Sequence, residues 1–352
     1  MSTMFGCSLK SAYQICVDYL MAGITPSLES SPGLGKSALA KKIAKDFNLK
    51  LIDIRLSQVT PEDLMGLPMR NEAGRAYYAT MEMFPLEGDP IPEGFDGWLL
   101  FFDEFNSAAK SVQAAAYKPI LDHMVGQERL HENCYVMSAG NLQTDRAIVI
   151  NGGTAIQSRV GHITIEHNEP EFMEHMIDAG FDYRVRGFID YKPEYGHYFD
   201  PDHHDRTFSC PRTLEFLSDY VKPKATEDIT ATGCAGLVSD GVGVEFVEYI
   251  KEYANLPKYG AIVAHPDSTG IPQRGATCFA VTSMLIEYYD RADFKTVSKY
   301  ISRFSPEFQI PYYRAVKVKD PAIIKDPQFK ARIGELTRFL SDSELTGLHE
   351  AA

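Results

Sequence analysis

The stretch Ser31-Pro32-Gly33-Leu34-Gly35-Lys36-Ser37, followed by Ala38-Leu39-Ala40 in helical register, constrains the fold more than any other part of this chain. Closely spaced glycines let successive backbone N–H groups turn toward one point, and a helix starting directly behind them aims its first N–H groups at the same point. Such a turn suits a phosphate. A lysine then reaches the β and γ oxygens, and a hydroxyl reaches Mg²⁺. On this reading Ser31, Pro32, Gly33, Leu34, Gly35, Lys36, Ser37 and Ala38 form an ATP-binding loop, with Lys36 on the phosphates and Ser37 on the metal. The G-x-x-x-x-G-K-[ST] pattern asks for glycine at position 30, where this chain has Ser30. Serine is small, so an altered turn that still binds is expected. Taken alone, the stretch is also compatible with a glycine-rich turn that merely caps a helix.

The surroundings favour the binding reading. Up to about residue 167, apolar strand-like runs alternate with helical patterns, as in a parallel sheet covered by helices. The clear runs are Leu51 to Leu56, Trp98 to Phe102, Tyr135 to Ala139 and His162 to Ile165. A strand is also required ahead of Gly33, over Ile24 to Leu28, although Pro26 cannot donate to a sheet ladder. Helices are expected over Ser8 to Met21, Lys36 to Phe47 and Ser107 to Met124. Beyond residue 168 the pattern turns helical, over Glu169 to Ala179, Pro211 to Val221, Gly243 to Ala254, Thr277 to Tyr289, Phe294 to Arg303 and Ala331 to Leu340. Residues 182 to 208, rich in Tyr, Asp, His and Pro, read as a long irregular insertion. Pro211 in the first turn of its helix, with Ser209 as cap, makes a sound helix start.

Trp98-Leu99-Leu100-Phe101-Phe102-Asp103-Glu104 has the form of a buried strand delivering two adjacent carboxylates. Asp103 would serve Mg²⁺, and Glu104 would polarise the attacking water. A strand ending in a solvated acidic turn is the bland alternative. The interval from Lys36 to Asp103 leaves room for one intervening strand and its helices.

The 352 residues hold 35 Lys and Arg against 48 Asp and Glu, a net charge of −13. That balance argues against a surface devoted to nucleic acid, where binding rewards dense positive charge, although a local basic strip is compatible with it. Six scattered cysteines form no CxxC pair and suggest free thiols rather than a zinc knuckle or redox motif. With no basic and apolar leader pattern and no long apolar run, the expectation is a soluble cytoplasmic protein, without membrane association. Asp200-Pro201-Asp202-His203-His204-Asp205 carries metal-type side chains, but neighbours in a proline-containing loop rarely converge on one ion, so a solvated loop is the expectation.

Asp103-Glu104-Phe105-Asn106-Ser107-Ala108, continuing through Val112-Gln113-Ala114-Ala115, resembles the "DEINRA…Q.ALL" stretch of MoxR-type AAA+ ATPases. Arg55-Leu56-Ser57-Gln58-Val59-Thr60-Pro61-Glu62-Asp63-Leu64-Met65-Gly66-Leu67-Pro68 is similar to the "RLSQ.DPTDL.GLP" element of MoxR-like proteins of bacteria and phages. The similarity extends through Ser305-Pro306-Glu307-Phe308-Gln309.

The resemblance implies a P-loop AAA+ core over 1–167, a helical lid over 168–235 and a helical extension over 236–352. It implies that Asn141 matches the sensor 1 polar residue and that Arg159 matches the arginine finger reaching a neighbour's γ-phosphate, with Arg146 as the competing assignment. Arg212 matches the sensor 2 arginine of the lid. It further implies Mg-ATP hydrolysis in a hexameric ring that remodels a protein partner or adaptor, in relatives often one with a von Willebrand factor A domain. The insertion from Met65 to Tyr78 would face the ring's pore, with Tyr77 and Tyr78 touching substrate, unless they form a satellite hydrophobic cluster. Two other classes share the same core: a nucleic-acid motor or loader, and a scaffold gated by nucleotide that barely hydrolyses it.

Overall fold

A computed structural model describes residues 5–142, 158–202 and 205–339. The chain clusters into two compact units: the first holds the described residues up to His167 together with 200–202, and the second holds 168–199 and the described residues from 205 on.

The first unit is built on a five-stranded parallel sheet. Its elements in chain order are α1 (Leu9–Met21), β1 (Pro26–Ser30), α2 (Lys36–Asp46), β2 (Leu49–Arg55), α3 (Pro61–Met65), β3 (Leu67–Arg70), β4 (Ala76–Ala79), β5 (Gly97–Asp103), α4 (Lys110–Tyr117), β6 (Met124–Val125), β7 (Glu128–Arg129), β8 (Cys134–Asn141) and β9 (Gly161–Thr164). The sheet runs β2-β5-β8-β1-β9, while β3–β4 and β6–β7 are antiparallel pairs.

Every residue of β5 is buried, and its side chains alternate between two cores. Leu99 and Phe101 pack with Leu28, Ile43 and Met137 on the side of α1 and α2, whereas Leu100 and Phe102 pack with Ile54, Val136, Val112 and Ala116. Full burial of each such side chain contributes about 1.5–3 kcal/mol. The strand ends are therefore fixed from both faces. Pro26 proves compatible with a central strand because it is the first residue of β1, whose pairing with β8 begins only at Ser27.

The helix expected over Ser107 to Met124 is shorter. A 3₁₀ turn over Phe105–Ser107 precedes α4, and a π turn over Lys118–Asp122 follows it. Pro119 lacks the N–H that would continue the α pattern, and the widened turn absorbs that loss. The segment after α3 forms the β3–β4 hairpin, which exposes Leu67, Met69, Tyr77 and Tyr78.

The second unit is helical: α5 (Glu169–Asp178), α6 (Tyr183–Tyr191), α7 (Pro211–Val221), α8 (Ala231–Val238), α9 (Asp240–Ile250), α10 (Tyr259–Ala264), α11 (Gly275–Glu287), α12 (Phe294–Ile301), α13 (Pro306–Lys319) and α14 (Pro327–Leu336). Two apolar clusters hold it, one drawn from Phe172 through Ala280 and one from Ile262 through Leu336.

Residues 182 to 208 are not irregular throughout, because α6 lies within them and buries Val185, Phe188 and Ile189. Its apolar spacing is disguised by the buried Arg184 and Arg186 and by Gly187, where an added Cβ would come within 2.6 Å of Ser283 Oγ and Tyr249 Oη. Arg184 makes two bonds to Asp182 and one to the carbonyl of Val221, at 2.7–2.9 Å. The last helix starts at Pro327 rather than Ala331, capped by Asp326 Oδ1, which accepts from Gln328 N at 2.8 Å. At α7 the capping position is Cys210, while the Ser209 hydroxyl donates to the Tyr195 carbonyl at 2.6 Å.

Asp190 on α6 and Arg186 line a cavity of about 10 Å³ together with Met173, Ser283, Pro311 and Arg314. No helix among the described residues is long and apolar enough to cross a membrane.

Candidate active site

Three adjacent parallel strands end at one edge of the sheet, and their carboxyl ends gather most of the residues singled out in the sequence. Ser30 closes β1 and stands opposite Asn141 of β8. Asp103 closes β5, which pairs with β8 up to Phe102 opposite Ser138. Loops leaving such an edge open a crevice in which α/β proteins bind ligands.

The loop from Ser31 to Gly35 turns there into α2. Gly33 and Gly35 have φ of 84° and 87°, a region that strains any residue with a side chain. No side chain caps α2, so its first turn offers backbone N–H groups and the positive end of the helix to an anion.

Lys36 is only 8% exposed. Its Nζ donates to the Ser30 carbonyl at 3.0 Å, to Ser30 Oγ at 2.9 Å and to Asn141 Oδ1 at 3.3 Å. Beside it, Ser37 Oγ donates to Asp103 Oδ2 at 2.7 Å, and Asp103 Oδ1 accepts the Glu104 N–H at 2.8 Å. A hydroxyl and a carboxylate in contact are the hard oxygen donors that fit Mg²⁺, a cation that usually takes one or two carboxylates and completes its shell with phosphate and water. No group of three or more His, Cys, Asp or Glu among the described residues could hold a metal alone. Burial and the negative charge of Asp103 also push the carboxyl of Asp53, on β2, above its usual range.

Glu104 sits in the left-handed region, with φ 58° and ψ 32°. For a residue with a side chain that costs about 1–3 kcal/mol. Its carboxylate accepts a hydrogen bond from the Ser57 hydroxyl and lies 3.9 Å from Arg55 Nη1. Asn141 is clamped by Asn106, whose Nδ2 donates to the Asn141 carbonyl at 2.5 Å and whose Oδ1 accepts the Asn141 N–H at 2.9 Å. The clamp needs the glycine before it, because a Cβ on Gly140 would lie 2.6 Å from Asn106 Oδ1.

Lys36, Ser37, Asp103 and Asn141 thus share direct hydrogen bonds with their neighbours at one edge, and Glu104 follows Asp103. Arg159 is not among them. It is exposed in the turn before β9, whose Gly161 pairs with Pro26 at the opposite end of β1 from Ser30, about 13 Å along the strand. Arg212 is exposed in the first turn of α7, in the second unit. Arg146 lies outside the described residues, as do His203 and His204.

Ser57, Arg55 and Asn106 were not picked out individually from the sequence. The signal for Arg55 is its register, opposite Asp103 in the β2–β5 pair.

Residues 28–149 match the AAA family, described as the ATPase family associated with various cellular activities. Among solved structures, the chain is similar to the Thermotoga maritima RuvB Holliday junction branch migration motor, at 16% identity and a TM-score of 0.37, covering 84% of this chain and 86% of that one. It is also similar to a putative ATPase from Cytophaga hutchinsonii, at 12% identity and a TM-score of 0.37, covering 96% of this chain and 91% of that one. No curated protein matches it in sequence. The family match places an AAA-family domain in residues 28–149.

Proposed function

We propose that this chain is an Mg-ATP hydrolysing AAA+ protein of the MoxR-like type, acting as a six-membered homo-oligomeric ring that remodels or assembles a protein partner. The observation that carries the ATPase reading is the Ser37–Asp103 pair beside the buried Lys36, at the mouth of a loop with two left-handed glycines.

In this reading Lys36 and the backbone of the loop bind and orient the phosphates, and Ser37 with Asp103 holds the metal. Bound Mg²⁺ supplies neutralisation of phosphate charge. Glu104, once released by Ser57, accepts the proton of the attacking water, and Asn141 holds that water in line. Removal of the positioning group for Asn141 would loosen the geometry without removing a ligand, which gives Asn106 its part. Arg159 lies at the far end of β1 from Lys36, which supports its service to a neighbouring subunit. Arg212 would sense nucleotide from a lid carried by the second unit over 168–235, with 236–352 as its extension. The exposed Leu67, Met69, Tyr77 and Tyr78 on β3–β4 are the proposed contact for a protein substrate or a von Willebrand factor A domain adaptor.

The test is Glu104→Gln. It should bind ATP with near wild-type affinity in calorimetry, release no phosphate, and retain its protein partner in the presence of ATP. Phosphate release at the wild-type rate would refute the role of Glu104. Stimulation of the wild-type enzyme by DNA, with none by a co-purifying protein, would turn the reading toward a nucleic-acid motor.

A further inference from the structure

Ser30 departs from the loop pattern at a fully buried position, and the geometry there gives the departure a consequence. Its hydroxyl donates to the Ser31 carbonyl at 2.9 Å, which turns its lone pairs toward Lys36 Nζ, also at 2.9 Å. A lysine ammonium has three N–H donors. Here they meet three acceptors of the protein itself: Ser30 Oγ, the Ser30 carbonyl and Asn141 Oδ1. Glycine at position 30 would leave the carbonyl and remove the hydroxyl. Register makes the arrangement rigid, because Ser30 and Asn141 are paired across β1 and β8, and Asn141 is itself clamped by Asn106.

We propose that Ser30 is a positioning residue that latches Lys36 onto the end of β1, so that an anionic oxygen reaches the ammonium only by displacing an acceptor already in place. The latch lowers affinity for the nucleotide and makes lysine release a step in loading. This rests on the reading of the loop as an ATP site. The acceptor lost in the exchange is one neutral hydroxyl bonded to a cation, a class of hydrogen bond stronger than one between neutral groups. Its removal should therefore tighten ATP binding about ten- to a hundredfold.

The experiment compares wild type, Ser30→Ala and Ser30→Gly, with folding checked by thermal melts. Calorimetry with Mg-free ATP should give the ten- to hundredfold gain in both variants (about 1.4–2.7 kcal/mol by the same conversion). The gain should vanish when either change is made on a Lys36→Ala background, probed with any residual binding of inorganic triphosphate, because the effect runs through the lysine. A second readout needs no nucleotide. Acylation of Lys36 by an amine-directed reagent, followed by mass spectrometry, should be several-fold faster in Ser30→Ala than in wild type. Unchanged or weaker ATP affinity together with unchanged acylation overturns the latch. A gain confined to Ser30→Gly also overturns it, since that result assigns the effect to backbone freedom. Wild type that binds no ATP, yet shows the acylation difference, refutes the ATPase reading and leaves the latch standing.

Discussion

The carboxyl of Asp190 should make the helical unit lose stability as pH rises from about 4 toward neutrality. It faces the small cavity lined by Arg186, Arg314 and Ser283. Burial pushes its pKa up to about 7 from 3.8, and the charges of Arg314 and Arg186 oppose that rise without cancelling it, while Glu169 adds to it. The sign follows from linkage. Below about pH 4 the group is protonated in both folded and unfolded chains and has no effect. Between about pH 4 and pH 7 the unfolded chain releases its proton while the folded one keeps it, so stability falls as pH rises and the loss is complete above about pH 7. The ceiling is about 4 kcal/mol. Asp190 keeps some accessible surface, and the cavity has room for about one water, which together bring the expected loss to about 1–3 kcal/mol.

Asp190→Asn keeps the shape and removes the titration. Urea unfolding followed by far-ultraviolet circular dichroism weights the helical unit, whereas the fluorescence of Trp98, the one tryptophan, reports on the α/β unit. The variant minus wild-type stability should rise by about 0.5–2 kcal/mol between about pH 5 and about pH 8 in the dichroism signal, with little change in the Trp98 signal. A difference that stays flat across that range would refute the reasoning, because every other titrating group cancels in the comparison.

If Arg159 acts in trans, mixing Arg159→Ala with Glu104→Gln subunits should restore part of the ATP hydrolysis that each lacks alone. No recovery at any mixing ratio would count against that placement. Asn106→Ala should lower kcat about ten- to a hundredfold with a smaller change in KM, since it frees Asn141 without touching the loop. An equal rise in KM with kcat intact would show instead that Asn106 supports binding.

The elements with strong period or strong punctuation were legible in the sequence. The all-buried β5 and the glycines before α2 announced themselves, because burial on both faces demands a continuous apolar run and a left-handed turn demands glycine. Hidden elements were those whose buried faces are polar or interrupted. α6 conceals its packing face behind Arg184, Arg186 and Gly187, and α13, which carries Pro311 in its interior, was not among the expected helices. At the site, residue type and spacing pointed to Lys36, Ser37 and Asp103. They said nothing of Ser57, Asn106 or the hydroxyl of Ser30 as partners, because those contacts arise from strand register and from a turn, neither of which leaves a periodic trace.

The left-handed backbone at Glu104 sets two demands against each other at a single position. Glycine would relax the peptide there, and the chain would gain in foldedness what the strain now costs. It would also delete the only side chain placed between Asp103 and the turn beyond it. Where an acid must stand on a backbone that prefers none, random substitution that improves thermal robustness will tend to degrade chemistry. Screens that select this chain only for heat tolerance should therefore be read with an activity assay beside them, because at position 104 the two traits point in opposite directions.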